Sequence, residues 1–278
     1  MKRVLVTGIN GQLGYDVVKE LDKRGYISVG VDKEKMDLTD LSNISNFIKD
    51  SNIDAIIHCA AYTAVDLAED NKDVCEMVNS LAVKEISNAC KELDISLVYI
   101  STDYVFDGSK DGEYTESDIE NPINVYGKTK LDGENYVKEI LNKYYIVRIS
   151  WVFGENGNNF INTMLRLSKE HKELNIIDDQ IGSPTYTKDL APLLVDMLES
   201  DRYGLYHVTN EGFCSWYEFA KEIFKLKNID IKVNPISTKD YPTKARRPLN
   251  SKMSKQKLID KGFIPLRNWK EALNEYLI

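Results

Sequence analysis

Three glycines, Gly8, Gly11 and Gly14, follow the apolar run Val4-Leu5-Val6 and open a stretch of helical periodicity reaching Arg24. Strand, glycine-rich turn and helix in that order constrain the fold more than any other feature of the chain. Glycine permits a tight turn and a close backbone approach to a pyrophosphate, and the helix N-terminus adds free N–H groups and the positive end of its dipole. The same spacing also serves as a plain strand-to-helix turn, so the pattern of the remaining chain decides between the two. Short apolar runs at 28–31, 55–57, 97–100 and 145–149 alternate with amphipathic stretches at roughly 74–93 and 125–141, a βαβ rhythm. The sequence therefore predicts an α/β fold, a Rossmann-type doubly wound parallel sheet, with ligands at the C-terminal ends of its strands.

Residues 1–150 read as the dinucleotide-binding domain. After Trp151 the rhythm loosens into a loop at 154–159, a helix over 160–171 and shorter mixed elements. Residues 151–278 read as a smaller, mainly substrate-binding portion, with room for segments that return to the first domain. There is no Pro-rich or Gly/Ser linker and no internal repeat, so the boundary is expected to be a packed seam.

With 278 residues and 42% hydrophobic content, the chain can bury its core without disulfide or metal staples. Cys59, Cys75, Cys90 and Cys214 lack CxxC spacing and His58, His171 and His207 are scattered, so no metal site is predicted. The formal net charge of −8 weighs against nucleic-acid binding. No signal-peptide pattern and no run of about 20 apolar residues is present, which predicts a cytoplasmic protein without a membrane partner.

In the glycine turn, Gly8, Gly11, Gln12 and Leu13 are expected to contact the cofactor. Asp32 closes the second strand about 20 residues after the glycines, where an acid accepts hydrogen bonds from the adenosine ribose hydroxyls. That favours NADH slightly; Lys33 and Lys35 nearby keep NADPH open, since a cation neutralises a 2′-phosphate. Asp37 and Leu38 suit the adenine edge, and Ala60, Ala61, Tyr62 and Thr63 follow the third strand where the backbone must approach the cofactor.

Tyr126 and Lys130 stand i,i+4 on one face of the predicted helix. A lysine there favours the phenolate, and so draws the tyrosine pKa from about 10 toward neutrality for use as a general acid. The same spacing occurs at Tyr15/Lys19 and Tyr217/Lys221, so the bare pattern is weak. Only Tyr126/Lys130 follows a strand ending in Ser101-Thr102-Asp103, and Thr102 is placed to bond a substrate oxygen and position the phenol.

This Thr–Tyr–Lys order resembles the extended short-chain dehydrogenase/reductase superfamily over essentially the whole chain, in which Asn79 takes the place of a proton-relay or helix-bending asparagine; a capping role is the alternative. The segments Ser101-Thr102-Asp103-Tyr104-Val105-Phe106-Asp107-Gly108 and Asn124-Val125-Tyr126-Gly127-Lys128-Thr129-Lys130 resemble the dTDP-4-dehydrorhamnose reductase family. So do Ala64-Val65-Asp66, Arg148-Ile149-Ser150-Trp151-Val152-Phe153, Asp178-Asp179-Gln180-Ile181-Gly182-Ser183-Pro184-Thr185 and Arg247-Pro248-Leu249-Asn250-Ser251. Related dehydratases carry Thr-Asp-Glu at the triad threonine; Tyr104 here points to simple reduction.

The resemblance implies hydride transfer from NADH or NADPH to C4 of dTDP-4-dehydro-L-rhamnose. Tyr126, Lys130 and Thr102 would be catalytic, with Thr102, Asp103 and Trp151 contacting the sugar. Arg246 or Arg247 near the diphosphate and Gln180 near the pocket are secondary, with loop solvation an equal reading. A homodimer is also compatible with the resemblance. Some relatives dimerise around Mg²⁺, but Tyr186-Thr187-Lys188-Asp189 sets a lysine among the ligand positions, which argues against that metal. The rival readings are another nucleotide-sugar reductase or epimerase, and a non-catalytic NAD(P)-binding subunit like the regulatory partners of methionine adenosyltransferase.

Overall fold

The computed structural model describes residues 2–278. Six strands form one wholly parallel sheet: β1 (Arg3–Thr7), β2 (Ile27–Val31), β3 (Ala55–His58), β4 (Ser96–Thr102), β5 (Tyr144–Ile149) and β6 (Gly204–His207). Their spatial order is β6-β5-β4-β3-β1-β2. From β1 the chain runs out to β2 and then returns to place β3 on the other side of β1, so the topological switch point lies between β1 and β3.

Near-continuous apolar runs such as Val4-Leu5-Val6 and Leu97-Val98-Tyr99 are buried on both faces, as a parallel sheet covered by helices requires. The helices Gln12–Lys23 and Thr187–Leu198 pack together on one face, and Leu41–Asp50, Ala82–Leu93 and Val125–Ile140 pack on the other. Thus the segment after Trp151 supplies both a covering helix and the edge strand β6. A separate apolar cluster, including Phe153, Ile161, Met164, Tyr186, Phe219, Ile223 and Trp269, fills the rest of the C-terminal portion.

The helix expected near 74–93 is interrupted. Lys72–Glu76 is α-helical, Met77–Leu81 is a π-helical turn, and Ala82–Leu93 resumes the α-helix. Asn79 sits in that turn, its Oδ1 accepting the Tyr62 N–H at 2.8 Å and its Nδ2 donating to the Tyr62 carbonyl at 3.1 Å. A side chain engaged with a neighbouring segment is a cause of such a bulge, and it ties the helix to the segment after β3. Among the described residues, no helix is long and apolar enough to cross a membrane.

Candidate active site

At the C-terminal ends of the strands lies a cleft of about 900 Å³. Its wall brings together Gly8, Gly11, Gln12, Leu13, Asp32, Asp37, Leu38, Ala60, Ala61, Tyr62, Thr63, Thr102, Asp103, Tyr126, Lys130 and Trp151. The Arg246, Arg247 and Gln180 side chains are not part of it.

One end of the cleft is built by close backbone approach. Gly8 has φ +70°, and a Cβ there would lie 2.9 Å from the Ala60 backbone. Gly14 is tighter still: a Cβ would meet the Gly8 carbonyl oxygen at 2.3 Å, so only glycine lets the helix Gln12–Lys23 start against the turn. That helix has no side-chain cap at Gly11, leaving its N-terminal amides to a ligand. A glycine-lined turn, an uncapped helix N-terminus and a long adjoining cleft fit a dinucleotide.

Asp32, at the end of β2, accepts the Asn10 amide at 2.8 Å on Oδ2 and the Glu34 N–H at 3.1 Å on Oδ1. Its carboxylate is thereby fixed at the cleft wall. Asp37 accepts the Thr39 N–H and hydroxyl, and the backbone bond leads in holding its pKa below the usual carboxylate range. Lys33 lies 3.9 Å from Asp37 on the surface.

The other end holds the polar groups of β4 and the helix Val125–Ile140. Asn124 caps that helix by accepting the Gly127 N–H at 2.7 Å, which orients its first turn and Tyr126. Lys130 is buried and donates to the Ile100 carbonyl at 2.6 Å; burial pushes its pKa down to about 7, against the opposing charge of Glu134. Burial raises the Tyr126 pKa, with the Thr102 hydroxyl acting against the rise and Asp103 adding to it. The structure thus differs from the i,i+4 expectation of a phenol drawn down by lysine. Desolvation dominates the phenol, and the ammonium is held by a backbone carbonyl.

Thr102 accepts the Tyr104 N–H at 3.2 Å and donates to Asp103 Oδ1 at 2.9 Å. Burial lifts the Asp103 carboxyl to about 6, with Ser251 and Thr102 opposing. Trp151 adopts φ +48° and stacks on Trp216, ring centroids 3.6 Å apart and planes at 13°. Gly182 makes the space, since a Cβ there would lie 2.9 Å from the Trp151 indole.

Some wall residues, Trp216 and Gly157 among them, carry no signal in the sequence. Trp216 is brought in because Cys214–Ser215 pairs with Ile181–Gly182, a contact no local pattern announces. Gly157 and Asn158 come from the loop before the helix Phe160–Glu170, and Asn156 beside them donates to the Asn10 carbonyl at 2.8 Å, clasping the glycine turn from the C-terminal portion. Tyr104 meets Tyr126 edge-on at 5.7 Å.

The secondary residues are occupied elsewhere. Arg247 bonds Asp66 at 2.7 Å, fastening the segment after Ala245 to the helix Val65–Ala68, while Arg246 is exposed. Gln180 is buried and donates to Thr238 at 3.1 Å. Asp189 accepts from Arg267 at 2.7 and 2.9 Å and from Asn210 at 2.8 Å. Among the described residues, no group of three or more His, Cys, Asp and Glu side chains is arranged to hold a metal ion.

A doubly wound sheet with a glycine turn on its first strand, and Thr, Tyr and Lys in the same cleft, defines an NAD(P)H-dependent oxidoreductase of the short-chain dehydrogenase/reductase kind. Within that class the chain belongs to the RmlD substrate binding domain family, whose model it matches over residues 1–278. It is 40% identical to the dTDP-4-dehydrorhamnose reductase of Aggregatibacter actinomycetemcomitans, covering 98% of this chain and 97% of that protein. The crystal structure of a dTDP-4-dehydrorhamnose reductase from Clostridium acetobutylicum superposes with TM-score 0.97 at 42% identity, over 99% of this chain and 98% of that one. The Bacillus anthracis reductase in complex with NADP gives 0.96 at 43% identity, over 99% of both chains.

Proposed function

We propose that this chain reduces the C4 ketone of dTDP-4-dehydro-L-rhamnose to give dTDP-L-rhamnose, a step in nucleotide-sugar supply for cell-surface polysaccharide. The observation that carries this reading is the convergence of Thr102, Tyr126 and Lys130 on the cleft that begins at the glycine turn. When bound, the reduced nicotinamide cofactor supplies the hydride to C4.

Tyr126 donates the proton to the C4 oxygen. Its raised pKa keeps the phenol protonated and ready as an acid, and general acid catalysis of this kind contributes roughly 10²–10⁴ in rate. Thr102 fixes the ketone oxygen against the phenol, and Lys130 binds the nicotinamide ribose. Asp103 contacts the sugar, and the stacked Trp151 and Trp216 offer it a flat apolar wall with an indole N–H at its edge. The portion after Trp151 thus completes the sugar site. At the other end, Gly8, Gly11, Gln12 and Leu13 hold the pyrophosphate, and Asp37, Leu38, Ala60, Ala61, Tyr62 and Thr63 line the adenosine side. Asp32, facing the ribose hydroxyls, favours NADH over NADPH. The protein works in the cytoplasm, a reading that its four free cysteines suit.

The test is loss of nicotinamide absorbance with NADH or NADPH while the 4-keto sugar is generated in situ, with the product identified by mass and retention time. Formation of dTDP-L-rhamnose is expected. An intact protein that binds cofactor but leaves it reduced would refute the assignment.

A further inference from the structure

The Asn124 side chain makes two bonds in two directions. Its Oδ1 accepts the Gly127 N–H at 2.7 Å, the cap at the start of the helix Val125–Ile140, and its Nδ2 donates to the Arg246 carbonyl at 2.8 Å. The residue is buried, so neither bond competes with bulk water. Asp, Ser and Asn cap a helix about equally well, but only Asn has an amide to give to a carbonyl while its oxygen holds the cap. The first bond accounts for a capping residue at this position; the second accounts for asparagine.

Arg246 belongs to the segment 244–251, which crosses from one wall of the sugar site to the other. On the Tyr126 side it is fixed by Asn124 and by Asp66, which accepts the Ala245 N–H at 2.9 Å and pairs with Arg247. Midway, Pro248 presses on the turn that follows β4, where a Cβ at Gly108 would lie 2.7 Å from it. On the tryptophan side, the Leu249 carbonyl accepts the Ile181 N–H at 2.8 Å, and the Ser251 N–H donates to the Ile181 carbonyl at 2.7 Å. Ile181 precedes Gly182, against which the Trp151 indole lies. One short stretch of chain therefore ties the start of the Tyr126 helix to the Trp151–Trp216 wall.

We propose that Asn124 is a positioning residue: through its amide, the segment 244–251 sets the distance between the Tyr126 phenol and the wall that receives the sugar. This role deepens the reductase reading above and rests on it. Proton donation needs the phenol within hydrogen-bond reach of the ketone oxygen, and a misplacement of about 1 Å can cost roughly 10²-fold in rate. The dinucleotide end of the cleft stands outside this set of contacts. Its glycine turn is built against Ala60 and the helix Gln12–Lys23, and Lys130 has its own anchor on the Ile100 carbonyl. Loosening Asn124 should slow hydride transfer and leave cofactor affinity unchanged.

The test uses two variants that keep the cap. Asn124→Ser retains an oxygen for the Gly127 N–H but has no amide for Arg246, and Asn124→Asp does the same with a charged acceptor. Each variant, holding bound NADH or NADPH, is mixed rapidly with excess dTDP-4-dehydro-L-rhamnose. Oxidation of the bound cofactor is expected at full amplitude, with a rate constant roughly 10- to 10²-fold below wild type. The cofactor dissociation constant, read by fluorescence titration, should match wild type. A purely structural role would lower the amplitude, which counts competent molecules, at an unchanged rate constant; that result, or wild-type kinetics in both variants, would overturn the proposal. Hydrogen exchange of the cofactor-bound protein reads the tie without chemistry. The Ala245 and Ser251 amides should exchange roughly tenfold faster in both variants, the scale of one lost hydrogen bond. Unchanged protection there also overturns it. A wild type that oxidises no cofactor removes the reductase reading and the positioning role together, an outcome distinct from an active wild type whose variants transfer hydride normally.

Discussion

Behind the helix that carries Tyr126 and Lys130 lies a charge network whose removal should cost far more than a surface ion pair. Arg148 on β5 and Glu134 on the helix Val125–Ile140 are both fully buried, and they bond twice, at 2.8 and 2.7 Å. Ser101 donates to Glu134 at 2.6 Å and Lys138 at 3.2 Å, while Glu120 is the second acid on Arg148. Burial alone would raise the Glu134 pKa; the Arg148 charge and its hydrogen bonds reverse the sign and hold it below the ordinary value. Glu134→Leu strips Arg148 of its better-buried partner and strands the Ser101 hydroxyl, so the loss should be about 3–5 kcal/mol. With a urea m-value of roughly 3 kcal/mol/M, the denaturation midpoint should fall by about 1–1.7 M at pH 7. A lowered folded-state pKa means that the contribution is complete above the unfolded value of about 4.3 and is lost as pH falls through the folded value. The gap between wild type and variant should therefore narrow in acid. Arg148→Met combined with Glu134→Leu should recover much of the loss, since apolar packing often replaces a buried pair without penalty. A single-variant loss below about 1 kcal/mol, or no recovery in the double variant, would refute this account.

The cleft itself gives four more expected outcomes. Tyr126→Phe should lower turnover by roughly 10²–10⁴ while cofactor affinity, read by fluorescence titration, stays near normal. Gly14→Ala should abolish cofactor binding and lower the melting temperature, because its Cβ would sit 2.3 Å from the Gly8 carbonyl oxygen. Trp216→Ala removes the support under Trp151 and should raise KM for the sugar more than it lowers kcat, in steady-state kinetics at saturating cofactor. Lys130 loses its charge as pH rises through about 7, so calorimetric cofactor affinity should weaken across that interval and do so less in Lys130→Met.

What was legible in the sequence and what was not divide along the range of the contacts involved. The glycine turn occupies seven consecutive positions, Gly8 to Gly14, and Tyr126 and Lys130 lie one helical turn apart, so spacing alone places them. Strand alternation likewise exposes β1 to β5, because a parallel strand buried on both faces must read as an apolar run. β6 is different: Gly204–His207 has only four residues, and nothing local says that it will leave the C-terminal portion to extend the sheet beside β5. Trp216 and Gly157 reach the cleft only after the C-terminal portion has folded over the strand ends, and a helical Trp or a loop Gly carries no mark of that destination. The pKa of Tyr126 escaped for a related reason. Sequence spacing sets Tyr126 one helical turn from a lysine, but here Lys130 is held by the Ile100 carbonyl and burial of the phenol raises its pKa.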